Sequence, residues 1–399
     1  MNVIKVLMLG PGEPTALNSG LGIATQHIAE YLKSQVELTI IHPGENIETK
    51  NSYEIRNVDT SKFEDVVVSR DIARISITSK LTPYFYSGGS STPEEIEIES
   101  VVRAELKSFT AEVISASKKL EFDVIYAHDW TTIPSALEIK EATNKPLIIH
   151  IHSLDYDRNP SQSESWIFDI EKKGLLAADH VIAVSQYTSD VLTQHYQVPE
   201  HKIAIVHNAI DSREFDQVQK VFSEKMILFV GRLTGQKGPS IFMQIAAKVH
   251  EQMPDTRFVM AGSGELLKQL IETGAYRSVS GKFHFTGQVD HEKMNELYAR
   301  CDIYCMPSIS EPFGLSALEA ASMGLPVVLS KQSGAAEVLP AAFTADYWEV
   351  NEFVEHIITL LKDKKVYEKS VKDNQDAIHQ LTWQKAADSI FEIMKKVID

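Results

Sequence analysis

Short apolar runs alternate along the chain with longer amphipathic stretches. The runs predict strands at Lys5–Leu9, Leu38–Ile41, Asp123–Ala127, Leu147–Ile151, Val181–Val184 and Ile203–Val206. After a charged interval the pattern restarts with Met226–Val230, Phe258–Ala261, Lys282–Phe285, Ile303–Met306 and Pro326–Leu329. A strand buried on both faces has no polar alternation, so continuous apolar strands separated by helices indicate parallel sheets covered on both sides. Two such series predict an α/β chain of two Rossmann-like, doubly wound domains, residues 1–215 and 216–380. The polar stretch Asp211–Lys225 reads as the linker between them. The pattern weakens between Pro43 and Thr82 and supports no assignment there. The last piece, 381–399, is amphipathic, with Trp383, Ala386, Ile390, Ile393 and Met394 near one helical face.

In a parallel α/β sheet, ligands bind outside the carboxyl ends of the strands. Polar residues and glycines gather at these exits in both halves. They are Gly10, His128-Asp129-Trp130, His152-Ser153, Ser185 and His207-Asn208, then Gly231-Arg232, Gly262-Ser263-Gly264, Gly287, Pro307-Ser308 and Ser330. Two sheets presenting such edges are expected to line one cleft.

Two constellations carry chemistry. In Glu311-Pro-Phe-Gly-Leu-Ser-Ala-Leu-Glu319, Pro312 keeps the entry extended and Gly314 lets the backbone approach a ligand. A helix is predicted from Leu315 to Met323, stopped by Gly324-Leu-Pro326. Its exposed N–H groups suit a diphosphate. Glu311 is placed to accept hydrogen bonds from sugar hydroxyls, and Glu319, about a turn into the helix, from ribose hydroxyls. The second constellation is Gly231-Arg232-Leu-Thr-Gly-Gln-Lys237-Gly238-Pro239, two cations on one glycine-rich turn. Arginine grips phosphate in a bidentate way and lysine acts as a point charge. Together they would stabilise a departing nucleoside diphosphate.

Bulk properties narrow the partners. The chain has 399 residues, with Lys plus Arg 39 against Asp plus Glu 55 and a net charge of −16. That balance argues against a nucleic-acid surface or tight docking on anionic lipid. Met1–Leu9 is too short for a membrane span and reads as a buried strand, so no integral membrane segment is expected. Cys301 and Cys305 lie in one apolar run and read as core residues, not a disulfide framework. A cytoplasmic protein is the simplest reading.

Taken together, these motifs resemble the retaining glycosyltransferase family 4 of GT-B fold, and within it the glycogen-synthase-like members from bacteria and archaea. The likeness runs from Ser19-Gly-Leu-Gly22 through His128-Asp-Trp130, His150-Ile-His-Ser153, Val184-Ser-Gln-Tyr-Thr188 and His207-Asn-Ala-Ile-Asp211 to Glu311–Glu319 and Ser333-Gly-Ala-Ala-Glu337. The resemblance implies that Arg232 and Lys237 hold the diphosphate, and that the backbone of Gly314, Leu315 and Ser316 meets phosphate and sugar. Phe313 belongs to the same donor-binding segment. Glu319 would hold the ribose, and Glu311 the donor sugar. Gly20 and Gly22 would close on the diphosphate, while the Gly262 and Gly287-Gln-Val289 turns flank the base. His152 matches the family histidine near the sugar's primary hydroxyl. With Glu311, Arg232 and Lys237 it completes the catalytic set. Asp129, Trp130 and Ser185 would border the acceptor. The C-terminal helix would cross back onto the N-terminal domain. No metal and no cofactor are expected, because the nucleotide-sugar is a substrate. One departure is visible. Glycogen synthases carry Lys-x-Gly-Gly-Leu-Gly near the N-terminus, where this chain has Ala16-Leu-Asn-Ser-Gly-Leu-Gly22. The missing lysine and glycine weigh against a true glycogen synthase and an ADP-glucose donor.

The expected activity is transfer of a hexose, glucose in this reading, from a UDP- or ADP-sugar to a hydroxyl acceptor such as a glucan or other saccharide. A GT-B epimerase or phosphorylase, or a non-catalytic nucleotide-sugar or glycan-binding protein, are the alternatives. Gly20-Leu-Gly22 imitates a dinucleotide fingerprint, but Thr25 stands at the third glycine position. Asp155-Tyr-Asp157 has the spacing of a manganese motif belonging to a different fold, and loop capping explains it better. His150 and His152 share a strand face and can hold a metal only with a third ligand, which the sequence does not identify. Trp130 is suited either to stacking on a sugar or to packing.

Overall fold

The structure is a computed structural model that describes residues 3–10, 20–43, 66–69, 72–77, 79, 81, 93–158, 165–211, 223–276 and 280–398. It divides into two compact units, Met1–Asn208 with Trp383–Asp399, and Ala209–Thr382. Residues 16–19 of the N-terminal glycine motif and 212–222 of the expected linker lie outside the described residues.

The N-terminal unit is built on β1 (Lys5–Leu9), β2 (Glu37–Pro43), β3 (Val66–Ser69), β4 (Ile72–Ile77), β5 (Val124–His128), β6 (Leu147–Ile151), β7 (His180–Ala183) and β8 (Ile203–Ile205). Its helices are α1 (Gly20–Leu32), α2 (Pro93–Ser117), α3 (Asp129–Thr143), α4 (Asp155–Arg158), α5 (Trp166–Ala177) and α6 (Gln186–Gln194). The sheet runs β3-β4-β2-β1-β5-β6-β7-β8, all parallel except β3, which pairs antiparallel with β4. Both strands fall in the stretch that the apolar pattern left unassigned. The sheet is therefore mixed at one edge, where sequence alone predicts only parallel strands. Central strands β5 and β6 are buried at every position, which is why they read as unbroken apolar runs.

The C-terminal unit contains β9 (Lys225–Val230), β10 (Thr256–Ala261), β11 (Phe283–Gly287), β12 (Ile303–Met306), β13 (Val327–Ser330) and β14 (Phe343–Ala345). Between and after them come α7 (Pro239–Gln252), α8 (Leu267–Tyr276), α9 (His291–Arg300), α10 (Leu315–Ser322), α11 (Ala335–Val338), α12 (Val350–Lys362) and α13 (Lys364–Ile378). This sheet is wholly parallel, in the order β11-β10-β9-β12-β13-β14. Strand β14 escaped the apolar pattern because it is three residues long at the sheet edge, with two of them only half-buried. Cys305 is buried in this core and Cys301 is buried at the end of α9; both are free thiols. Burial raises the Cys305 thiol pKa, so it behaves as a small apolar side chain.

The last helix, α14 (Trp383–Ile398), belongs to the N-terminal unit. Its Trp383 ring stacks on His27 of α1 at 5.0 Å and 6°, and Gln35 donates to Asp388 at 2.8 Å. A buried indole contributes on the order of 2–3 kcal/mol, enough to anchor the helix on α1.

Candidate active site

Backbone hydrogen bonds tie the strand exits of the C-terminal sheet together side by side. Gly262 N donates to Gly287 O at 2.9 Å, Leu233 N to Ser263 O at 2.9 Å and Ile309 N to Gln236 O at 2.8 Å. Glu311 N donates to Gln332 O at 2.8 Å and Gly334 N to Glu311 O at 3.0 Å. These contacts follow the strand order β11, β10, β9, β12, β13. The segments singled out in the sequence therefore lie along one edge, with Val289 half-buried just beyond β11.

The cation-bearing turn follows β9. Gly238 adopts φ 68° as the N-cap of α7, with Pro239 opening that helix. A Cβ at Gly238 would lie 2.1 Å from the Pro307 carbonyl oxygen, so only glycine lets the turn press against the exit of β12. That approach carries Lys237 to the Glu311 carboxylate, with which it forms an ion pair. Their side chains are only 18% and 7% exposed, so each charge has lost water and is answered chiefly by the other. Arg232 sits half-buried at the start of the same turn.

Gly314, at φ 101° and ψ 60°, is the N-cap of α10, and no side chain caps it. The first amides of a helix have no intrahelical acceptor, and the helix dipole adds partial positive charge there. Ala317, Leu318, Ala320 and Ala321 turn into the core, and three of these are small enough to let α10 lie close to the sheet. Leu315, Ser316 and Glu319 remain half-exposed on the other face. The Phe313 side chain is buried, so only its backbone can reach a ligand.

Two tyrosines that sequence reasoning missed hold this helix. Tyr304 of β12 bonds Ser316 Oγ at 2.8 Å, and Tyr298 of α9 donates to Glu319 Oε2 at 3.0 Å. Burial, reinforced by the nearby Glu311 and Glu319 charges, raises the Tyr304 phenol well above its ordinary value, so it stays protonated. The signal was faint: Tyr298 ends a helix and Tyr304 sits inside a strand, and either reads as ordinary core.

In the N-terminal unit, His152 follows β6 on a loop held by Asp129. The Asp129 carboxylate accepts from His152 N at 2.7 Å and from Ser153 N at 3.4 Å. Asp129 itself adopts φ 53°, a left-handed conformation that aspartate tolerates better than most residues. Burial pushes its carboxyl up to about 7, against the lowering effect of the His152 amide and Arg158.

Parallel pairing sets His128 beside His150. Tyr126 and His128 share one face of β5, and His150 and His152 share the matching face at the end of β6. Tyr126 Oη lies 2.6 Å from His150 Nδ1, and His128 Nδ1 lies 3.0 Å from His152 Nε2. Burial keeps the imidazoles neutral: His152 drops to about 3, and His128 and His150 fall well below their ordinary value. His128 thus supplies the third nitrogen that the sequence could not identify, and the three rings bring ligand atoms within 4.8 Å of one another. The rings are near-parallel, at 24° for His128–His152 and 28° for His150–His152.

The residues expected to border the acceptor are enclosed. Trp130 has no exposed surface and packs edge-on against Trp166 at 5.5 Å, so packing, not sugar stacking, is its role here. The Ser185 hydroxyl is buried as the N-cap of α6, accepting from Thr188 N at 3.0 Å. Asp129 acts through the His152 loop. Asp155 and Asp157 also serve locally: Asp157 accepts from Leu154 N at 2.7 Å, and Asp155 from Ser165 Oγ at 2.5 Å. Gly20 opens α1 and is exposed, whereas Gly22, two residues on, is buried.

Comparison with known proteins fits this layout. Residues 211–377 match the family Glycosyl transferases group 1, and residues 99–214 match Glycosyltransferase Family 4. An uncharacterised glycosyltransferase of Methanocaldococcus jannaschii is 31% identical over 286 residues, spanning 64% of this chain and 73% of that protein. Among solved structures, sucrose-phosphate synthase from Thermosynechococcus elongatus aligns with a TM-score of 0.76 at 18% identity, covering 99% of each chain. Anabaena Alr3699/HepE in complex with UDP-glucose aligns with a TM-score of 0.72 at 17% identity, covering 98% of this chain and 100% of that one. With these matches, a Rossmann-like sheet in each unit and the linked loops between β9 and α10, the chain belongs to the family 4 glycosyltransferases and is a glycosyltransferase of GT-B type.

Proposed function

We propose that the protein transfers a hexose, glucose in our reading, from a UDP- or ADP-sugar to a hydroxyl acceptor such as a glucan or another saccharide, with retention of configuration and without a metal. The observation that carries the reading is the Lys237–Glu311 pair beside the uncapped amide end of α10. A bound diphosphate takes the place of the carboxylate as partner for Lys237 and is also gripped by Arg232. Glu311 is then released to accept hydrogen bonds from the sugar hydroxyls. Charge that develops on the leaving phosphate meets fixed cations and helix amides, which is where an enzyme gains most from electrostatic preorganisation. Glu319, braced by Tyr298, is assigned to the ribose hydroxyls. His152 is assigned to the donor sugar. The bond from anomeric carbon to phosphate breaks as the acceptor oxygen attacks from the same face, and the departing phosphate takes the acceptor's proton. The similar fold that binds UDP-glucose supports a nucleotide-sugar donor.

The test is a thermal-shift screen of UDP-, ADP- and GDP-sugars, since a ligand that binds only the folded state raises the melting temperature. It is followed by proton NMR of the product formed on glucan and small-saccharide acceptors. Stabilisation by one nucleotide class and an α-configured product from an α-configured donor support the reading. An inverted anomer removes retention, and epimerised donor appearing without any acceptor replaces the transferase by an epimerase.

A further inference from the structure

We infer that Glu171 is a positioning residue for His152: from α5 it fixes the loop that carries His152, through the Asp155 amide, Arg158 and Tyr196. The inference deepens the proposed function, because it rests on the reading of His152 as the residue that meets the donor sugar.

Beyond the end of β6, every amide from His152 to Tyr156 donates to a side chain. His152 N and Ser153 N go to Asp129 Oδ1, and Leu154 N goes to Asp157 Oδ2 at 2.7 Å. Asp155 N is received by both oxygens of Glu171 at 3.0 Å, and Tyr156 N by Tyr196 Oη at 3.3 Å. The acceptors come from α3, α4, α5 and the chain just past α6. A buried backbone N–H needs an acceptor. Here helices from around the sheet supply the acceptors, so they set the course of the loop.

Glu171 joins the far end of this arrangement, and it has no exposed surface. Besides the Asp155 amide it accepts from Tyr196 Oη at 2.6 Å and from Arg158 Nη2 at 3.4 Å. Burial keeps the Tyr196 phenol protonated and able to donate. Arg158 in turn donates from Nη1 to Ser153 Oγ at 3.3 Å, one residue from His152. The Asp155 amide directly, the Tyr156 amide through Tyr196 and the Ser153 hydroxyl through Arg158 therefore all depend on one carboxylate. Arg158 also lies 3.8 Å from the Asp155 carboxylate, so Glu171 shares its cation. For a carboxylate so enclosed, lost hydration offsets much of what its bonds gain, and orienting the donors around it is its main effect. Burial, with the Asp155 charge beside it, pushes the Glu171 carboxyl up to about 8, against the lowering by Arg158, the Tyr196 hydroxyl and the Asp155 amide. The carboxylate is ionised at pH 9, where the test is made.

The experiment compares the full-length wild type with Glu171→Gln and Tyr196→Phe. Glutamine keeps the shape but presents an N–H where one carboxylate oxygen accepted, and phenylalanine removes the hydroxyl between Tyr156 N and Glu171. Quench-flow hydrogen–deuterium exchange, read by mass spectrometry on peptides covering residues 152–156 and β1, reports the loop and the core separately. In both variants the loop amides are expected to exchange at least about tenfold faster, with β1 unchanged. Turnover of UDP-glucose and ADP-glucose with glucan and small-saccharide acceptors is the second readout. Glu171→Gln should lower kcat/KM about tenfold in the wild-type background and cause no further loss in His152→Gln, because it acts through that ring. Unchanged loop exchange in either variant, equal acceleration of β1, or losses that multiply in the double variant overturns the inference. If Glu171→Gln does not fold, Tyr196→Phe carries both measurements. If His152→Gln keeps full turnover, or neither donor is turned over, the reading of the site falls, and the exchange result alone decides whether Glu171 holds the loop.

Discussion

Lys237 and Glu311, 74 positions apart in sequence, are ion-paired across the exits of β9 and β12. Each is the other's main compensation for lost water, so single removals and joint removal have different consequences. Lys237→Ala leaves a largely buried carboxylate unanswered, which costs on the order of 3 kcal/mol of stability, whereas Lys237→Met with Glu311→Gln costs much less. For turnover the order differs. Either single variant is expected to lower kcat/KM by about 100- to 1000-fold, and the double variant recovers stability without recovering rate. Urea unfolding alongside initial-rate kinetics separates the two effects. Equal stability loss in all three variants removes the compensation between them.

Tyr298 bears on donor affinity through Glu319. Its hydroxyl lies 3.0 Å from Glu319 Oε2 and 3.3 Å from Ser316 O, so its one proton is shared between the carboxylate and the carbonyl. Tyr298→Phe keeps the ring and removes the hydroxyl that makes these bonds. A lost bond to a charged acceptor costs about 1.5–3 kcal/mol, more than a neutral one. Since Glu319 is assigned to the ribose, KM for the nucleotide-sugar should rise about tenfold with kcat little changed. A fall in kcat at constant KM would move Glu319 from nucleotide binding to the chemical step.

Much of this layout was legible in the sequence. Glycine and proline around the Lys237 turn and around α10 marked strand exits, and strand exits in a parallel sheet converge by construction. The residues that were misjudged share a physical cause. Trp130 and Ser185 also follow strands, but a polar or aromatic residue at an exit can equally turn inward, and one sequence does not reveal which. His128 was visible, yet its partnership with His152 depends on the register between β5 and β6, which pairs residues 22 apart in sequence. Strand β4 was illegible because Arg74 and Ser76 interrupt its apolar positions, and β3 because it is only four residues long.

Two glycines on one turn give an internal control. A Cβ at Gly235 would meet nothing within 4 Å, whereas one at Gly238 would lie 2.1 Å from the Pro307 carbonyl oxygen at φ 68°. Gly235→Ala should therefore leave melting temperature and rate nearly unchanged. Gly238→Ala should force the turn away from β12, cost roughly 2–4 kcal/mol through strain and lost contacts, and separate Lys237 from Glu311. Circular-dichroism melting of both variants checks this, and equal melting temperatures would refute the close approach.

The buried imidazoles make stability depend on pH with a definite sign. In the unfolded chain they take up protons near 6.5, whereas in the folded protein His152 does so only near 3, and burial holds His128 and His150 well below their ordinary value. Between those values the unfolded state binds more protons, so this contribution is complete above pH 6.5 and is lost as pH falls toward 3. Each ring gives a slope of up to ~1.4 kcal/mol per pH unit within that window. Asp129 works in the opposite direction: the folded protein keeps its proton up to about pH 7, so its contribution declines as pH rises from 3.8 to that value. The two are separated by comparison with His150→Gln, which removes one imidazole and leaves Asp129 in place. Urea midpoints measured from pH 5 to 7.5 should climb more steeply in the wild type than in the variant, by about one proton's worth of slope. Parallel curves would mean that His150 is charged in the folded state, and the neutral ladder of Tyr126, His128, His150 and His152 would have to be abandoned.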